Sequence, residues 1–189
     1  MAKLTPEYVI SGLVRRGVPL VVAQGVTARM NGESGLDPGI NEINPTVAGS
    51  RGGFGLAQWT GPRRRQFEAF AADRGAQLDD PEVQLDFLMW ENANTEKDAW
   101  SKVMGAKDAT EAAQLFTTHW ERPGKPNMDA TLATAQQYAG LTPGQNGLAA
   151  PAQQQPHQNA LALPQWTDMR QDVSPFLNPN RGRNALGMM

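Results

Sequence analysis

Apolar residues along the first 140 positions recur at helical spacing, interrupted by prolines, glycines and capping side chains that mark where each helix starts and stops. Thr5-Pro6-Glu7 sets an N-cap before a proline at the first helical position, and Gly17 stops that helix. A second helix is predicted over about 19–32. The helical period then fades across a glycine-rich stretch, 35–55, which has room for a small hairpin. Thr60-Gly61-Pro62 opens a third helix that reaches Arg74 and is closed by Gly75. Asp80-Pro81-Glu82 opens a fourth. Its apolar positions, Val83, Leu85, Phe87, Leu88, Met89 and Trp90, lie all round it, which predicts a central helix. Asp108 and Glu111 have capping-box spacing ahead of a run to Trp120. Glu121-Arg122-Pro123-Gly124 ends that run, and a last helix over about 127–139 closes at Gly140. The pattern predicts a mainly α domain over 1–140, with one loop or hairpin region. A domain of that length can bury roughly two-thirds of its unfolded surface, enough for one core.

The pattern changes beyond 140. Residues 130–167 contain no Asp, Glu, Lys or Arg, and 141–165 are rich in Gln, Pro and Ala. Too few large apolar side chains stand there to offset the entropy of ordering, so 141–165 is predicted to be an extended linker rather than a folded unit. It leads to a short segment, 166–189, in which Trp166, Met169, Val173, Phe176 and Leu177 offer apolar anchors for docking to another protein.

Composition narrows the chemistry. The 189 residues carry a formal charge of −2, which argues against a general nucleic-acid binder. Zero cysteines exclude thiolate metal sites and a cysteine nucleophile, and the two histidines, His119 and His157, are too few for a multi-histidine centre. No metal and no cofactor are therefore expected. No apolar run approaches the ~18 residues of a membrane span, and the first twenty residues lack the basic start and apolar run of a secretory signal. Catalysis, if present, rests on carboxylates, hydroxyls and amides.

Two segments concentrate such groups. In the second helix Glu33 is in step with Ala23, Val26 and Met30, which puts a carboxyl at the C-terminal end of an apolar stripe. Desolvation and the negative helix end both favour its protonated form, as a general acid requires. Twenty residues on, Gly52-Gly53-Phe54-Gly55-Leu56-Ala57-Gln58-Trp59 pairs close glycines with an amide fork and a flat ring, a combination suited to a sugar. Taken alone, Glu33 also fits an ordinary polar residue at a helix end, and the glycine stretch a tight turn under a core tryptophan.

In order along the chain, Glu33-Ser34-Gly35, Gly55-Leu56-Ala57-Gln58-Trp59, Gly61-Pro62-Arg63-Arg64, Gln84-Leu85-Asp86-Phe87-Leu88 with Glu91, and Trp120-Glu121-Arg122-Pro123-Gly124 resemble the phage tail lysozyme family. That family is related to goose-type lysozymes and soluble lytic transglycosylases, and the resemblance covers roughly 5–140. It implies a lysozyme-like helical domain that cleaves the β-1,4 bond between N-acetylmuramic acid and N-acetylglucosamine of peptidoglycan. It also implies that Glu33 is the catalytic acid, with Ser34, Gly55, Leu56, Gln58 and Trp59 on the substrate side. Ala57 departs from the methionine common at its position.

A second carboxylate stays open. A retaining hydrolase sets its nucleophile about 5 Å from the acid, an inverting one its base about 6.5–9.5 Å away; Asp37, Glu42, Glu91 and Glu121 are the candidates. Asp37 before Pro38 also fits the start of a turn. Glu91 also fits a structural partner for Arg63 or Arg64, and Glu121 an ion pair with Arg122. A lytic transglycosylase needs none of the four, and hydrolysis and transglycosylation stand level. The arginine cluster 63–65 fits a solvated face with an internal ion pair better than a stem-peptide site, and His119 fits a packed side chain.

The expectation is a virion-associated enzyme that opens the cell wall locally for phage genome entry, held in the tail or internal core by residues 141–189. Two rivals are a structural virion protein with a catalytically silent lysozyme-like module, and an endolysin acting at lysis.

Overall fold

The computed structural model describes residues 3–45, 47, 49–124 and 126–144. The linker beyond 144, the docking segment 166–189 and His157 lie outside the described residues. Within them the chain forms α1 (Pro6–Arg15), α2 (Leu20–Ser34), α3 (Gly61–Asp73), α4 (Pro81–Ala93), α5 (Lys97–Met104), α6 (Ala109–Leu115), a π-helical segment (Phe116–Glu121) and α7 (Met128–Tyr138). The fold is mainly helical, as the periodicity predicts. Among the described residues the hairpin region holds only isolated antiparallel bridges, Asn41 with Phe54 and Phe54 with Trp59.

Local chemistry sets the helix ends. Thr5 Oγ1 accepts from the Tyr8 amide at 3.2 Å and Asp80 Oδ1 from the Glu82 amide at 2.9 Å, each satisfying a first-turn N–H that has no partner within its helix. Asp108 Oδ1 accepts from Glu111 N at 2.8 Å, while Glu111 Oε2 reaches back to Lys107 N at 2.7 Å, one residue earlier than the usual box.

The central helix is α2, not α4. It packs against α1, α6, α7 and the π segment, whereas α4 meets α1, α3 and α5 and leaves Met89 and Trp90 half-buried. Hydropathy misleads here because α2 buries polar groups, Gln24, Thr27 and Arg29. Two of these find partners inside: Gln24 on backbone carbonyls and Arg29 on carboxylates. Gly25 makes the close packing achievable. A Cβ there would stand 2.3 Å from the carbonyl oxygen of Ala109, so only glycine lets α6 come this near.

Two elements escape the sequence pattern. α5 is short and mostly polar, and it buries only Trp100 and Val103. The run after Asp108 changes to π geometry at Phe116, which stacks Phe116 on Trp120 at 4.5 Å and ends at Glu121. Beside α3 and α4 the core is aromatic: Trp59 lies on Phe67 at 5.0 Å, and Phe87 meets both.

Candidate active site

Glu33 occupies the last turn of α2, and Gly35 closes that turn in the left-handed conformation at φ 59°. Its side chain is 30% exposed and pairs with Arg29, one turn earlier, which is only 4% exposed. Arg29 also pairs with Glu121, 8% exposed, from the end of the π segment, and its Nη1 lies 3.5 Å from Thr131 Oγ1 on α7. Glu33 is thus the outermost member of a carboxylate–guanidinium–carboxylate cluster. Its nearest partner is a cation, so its surroundings are not the purely apolar ones that the stripe predicts. Ser34 is buried. Its Oγ donates to the Met30 carbonyl at 2.9 Å and accepts from Leu36 N at 3.2 Å, so the hydroxyl secures the helix end behind Glu33.

The Gly55–Gln58 strip is a turn tied to the chain that follows Glu33. Gly55 N donates to the Ile40 carbonyl at 2.9 Å, and Gln58 Nε2 donates to the Gly55 carbonyl at 2.8 Å. The fully buried Gln84 of α4 joins three segments. Its Oε1 accepts from Leu56 N at 2.8 Å, and its Nε2 donates to the carbonyls of Pro38 and Leu78 at 2.6 and 2.7 Å. Gly55, at φ 73°, is fixed by this contact, because a Cβ would stand 2.6 Å from Gln84 Oε1. Gln58 is half-buried, whereas Leu56 and Trp59 are fully inside. Trp59 shows no ring face to solvent, and its Nε1 donates to Glu91 Oε2 at 2.6 Å.

The four second-carboxylate candidates sort by burial. Glu91 is fully buried, and Arg63 grips it through Nε and Nη2. Burial pushes its carboxyl above the ordinary range, against the opposing pull of Arg63. Burial also pushes Glu121 up, with Arg29 and Arg63 opposing. Its partner is Arg29 rather than the adjacent Arg122, which binds Glu96 instead. Asp37 Oδ1 accepts from Gly39 N at 2.9 Å and so begins a turn. Glu42 Oε2 accepts from Gly53 N at 3.0 Å across the loop. Asp37, Glu42 and Glu121 are all half-buried as residues, but the Glu121 side chain is only 8% exposed and held by Arg29.

Arg64 is internal, bonding Glu68, Asn41 and the carbonyls of Arg51 and Gly52, whereas Arg65 faces solvent. His119 is half-buried in the π segment. Arg29 and Gln84 are the residues that sequence reasoning does not single out as part of the site. Arg29 lies four residues before Glu33, a spacing that pairs opposite charges on a helix, so that signal was present. No group of His, Cys, Asp and Glu among the described residues is arranged to hold a metal ion.

The sequence of this unit is similar to that of known proteins. Morphogenesis protein 1 of Bacillus phage B103 is 31% identical over 130 residues, which is 64% of this chain and 34% of that protein. The chain thus spans about a third of that relative's length. The sequence profile described as phage tail lysozyme matches residues 5–141, nearly the whole of the helical unit built around Glu33, and the chain belongs to that family.

Proposed function

We propose that this protein cleaves the β-1,4 bond between N-acetylmuramic acid and N-acetylglucosamine in peptidoglycan, with Glu33 as the general acid. The observation that carries this reading is that Glu33 is the one partly exposed carboxylate of an otherwise buried charge cluster. It stands at the end of a helix whose outgoing chain is braced to the Gly55–Gln58 turn. In the reaction the Glu33 carboxyl gives its proton to the glycosidic oxygen as the bond to the muramic carbon breaks. The resulting carboxylate then takes a proton from the attacking group, which is water in hydrolysis or the sugar's own 6-hydroxyl in transglycosylation. In an inverting hydrolysis the water's proton would go to a second carboxylate instead, and the half-buried Asp37 and Glu42 suit that role better than Glu91 and Glu121, whose side chains are 0% and 8% exposed. Gln58 serves as the amide that meets the sugar edge, and Ser34, Leu56 and Trp59 act from inside by holding helix and turn.

In the cell, the reading places the enzyme in the phage particle, where it opens the wall during genome entry, with residues 141–189 joining it to other virion proteins. Similarity to a phage protein named for morphogenesis supports this placement.

The test is Glu33→Gln, which keeps size and removes the proton. Loss of wall cleavage by at least about 10²-fold, with the circular dichroism spectrum unchanged, is expected. Activity within about threefold of the parent would sink the assignment, since general acid–base catalysis contributes far more than that. Mass spectrometry of the products then separates reducing ends from 1,6-anhydro ends, and detection in purified particles separates a virion enzyme from one released at lysis.

A further inference from the structure

We propose that Glu121 is a positioning residue for this reaction, and that its carboxylate cancels the charge of Arg29 and so allows Glu33 to hold a proton. The inference rests on the assignment of Glu33 as the acid. A general acid in contact with an arginine presents a difficulty, because a cation at that distance favours the carboxylate and lowers an acid's pKa by about 1–3 units. The structure answers it with a second carboxylate. Arg29 and Glu121 are 4% and 8% exposed, so this pair sits in low dielectric, screened from salt, and is close to neutral as a unit. Glu33, at 30% exposure, meets the outer end of a neutral pair rather than a bare cation.

The surroundings support this balance. Burial raises the Glu121 carboxyl, and the contact with Arg29 and the positive charge of Arg63 from α3 act against it in favour of the ionised form. Thr131 from α7 is uncharged, as are Ala113 and Ala135, which pack on Ala28 of α2 from α6 and α7. Lys3 lies beside Gly35, just past the helix end, and contributes a further cation. Glu121 Oε1 is buried and has no hydrogen-bond partner among the described residues. When Glu33 takes up its proton, that oxygen is an open acceptor for Arg29 to close on, so Glu33 can turn to substrate without leaving the guanidinium unpaired. The π segment brings Glu121 to this position by ending its run against α2.

The test compares full-length parent, E121Q and R29Q/E121Q by two readouts. One is the pH profile of peptidoglycan clearance, whose alkaline limb follows the acid. The other is the ¹³C titration of the Glu33 carboxyl, assigned with E33Q. E121Q keeps the size and leaves Arg29 paired only with Glu33. Its alkaline limb and Glu33 titration should both move to lower pH by about 1–3 units. Activity lost at neutral pH should return as the pH is lowered, and R29Q/E121Q should bring both readouts back to the parent's position or above. An unmoved Glu33 titration in E121Q, or a uniform loss of activity with no movement of the limb, would overturn the inference. So would a double variant that keeps the E121Q shift. Should E121Q alone not fold, the double variant decides, and a Glu33 titration a full unit below the parent's would refute it. Should the parent clear no peptidoglycan, the catalytic reading fails, while the carboxyl titration still tests the coupling.

Discussion

The guanidinium of Arg63 holds both carboxylate oxygens of Glu91, Nε at 2.7 Å from Oε1 and Nη2 at 2.9 Å from Oε2, and Glu91 has no exposed surface. Trp59 Nε1 adds a third bond, and the Arg63 guanidinium lies 3.9 Å over the Trp120 ring. Four segments of the domain therefore meet at one charge pair. Such a site stabilises little compared with an apolar replacement of the same shape, yet breaking half of it is costly.

Arg63→Leu should therefore destabilise the domain by about 3–5 kcal/mol at neutral pH, because it leaves a carboxylate buried alone. The pH dependence has a fixed sign. Burial already raises the carboxyl of Glu91 in the folded state, and Arg63 is what restrains it. A raised group contributes stability below its unfolded pKa and loses it as pH rises through the folded one. Urea midpoints of Arg63→Leu should thus fall further behind the parent at pH 8 than at pH 5. Arg63→Leu/Glu91→Gln should remove that difference. Equal penalties at both pH values would show that Glu91 does not carry the effect.

The opposite sign is expected at Glu82. Its burial raises the carboxyl, but hydrogen bonds from Tyr8 and Arg16, together with the charges of Arg16 and Arg15, outweigh this and hold it below the ordinary range. Stability from a lowered group is present above its unfolded pKa and lost as pH falls through the folded one. With the side chain 40% exposed, the gain is screened and small, about 0.5–1 kcal/mol. Thermal melts of Glu82→Gln should trail the parent at pH 7 and converge with it in the acid range. A gap that persists below pH 3 would point to lost packing instead.

Most helix boundaries were legible because capping residues and prolines act locally: Thr5, Asp80 and Asp108 each bond the amide their position predicts. The central element was not legible. Hydropathy ranks α4 above α2, and it cannot register that Gln24 and Arg29 find partners from distant parts of the chain. The candidate site divides in the same way. Glu33 stands out by helical spacing, whereas the burial of the Glu91 and Glu121 side chains against Arg63 and Arg29 is a tertiary property that spacing does not register. Trp59 is the clearest case: a ring suited to sugar stacking by composition lies instead between Phe67 and Phe87.

Gln84→Ala should loosen the site without unfolding the domain. Three hydrogen bonds from one fully buried amide are lost, each worth about 1 kcal/mol net, and Leu56 N, Pro38 O and Leu78 O lose a partner together. A loss of about 3 kcal/mol is expected, with faster amide exchange from Leu36 to Gln58. If the Gly55–Gln58 turn meets the glycan, KM should rise more than kcat falls. Unchanged exchange in that turn would show that Gln84 does not brace it.

The end of the folded unit can be placed by the same accounting. Gln24, 2% exposed within α2, donates through Nε2 to the carbonyls of Ala139 at 3.1 Å and Leu141 at 2.7 Å. Leu141 also packs against the core, one residue past the boundary at 140 that composition alone suggests. A chain cut after 140 keeps every helix of the described residues but loses the shorter of the two bonds and that apolar contact. A chain cut after 144 keeps both. The shorter form should be less stable by about 1–2 kcal/mol, the sum of one buried hydrogen bond and a partly buried leucine. Urea unfolding of the two truncations measures the difference directly. Equal midpoints would return the boundary to 140, and failure of the 1–144 form to fold would show that residues beyond it belong to the domain. If both forms fold and clear peptidoglycan alike, the segment beyond 144 is free to serve attachment rather than catalysis.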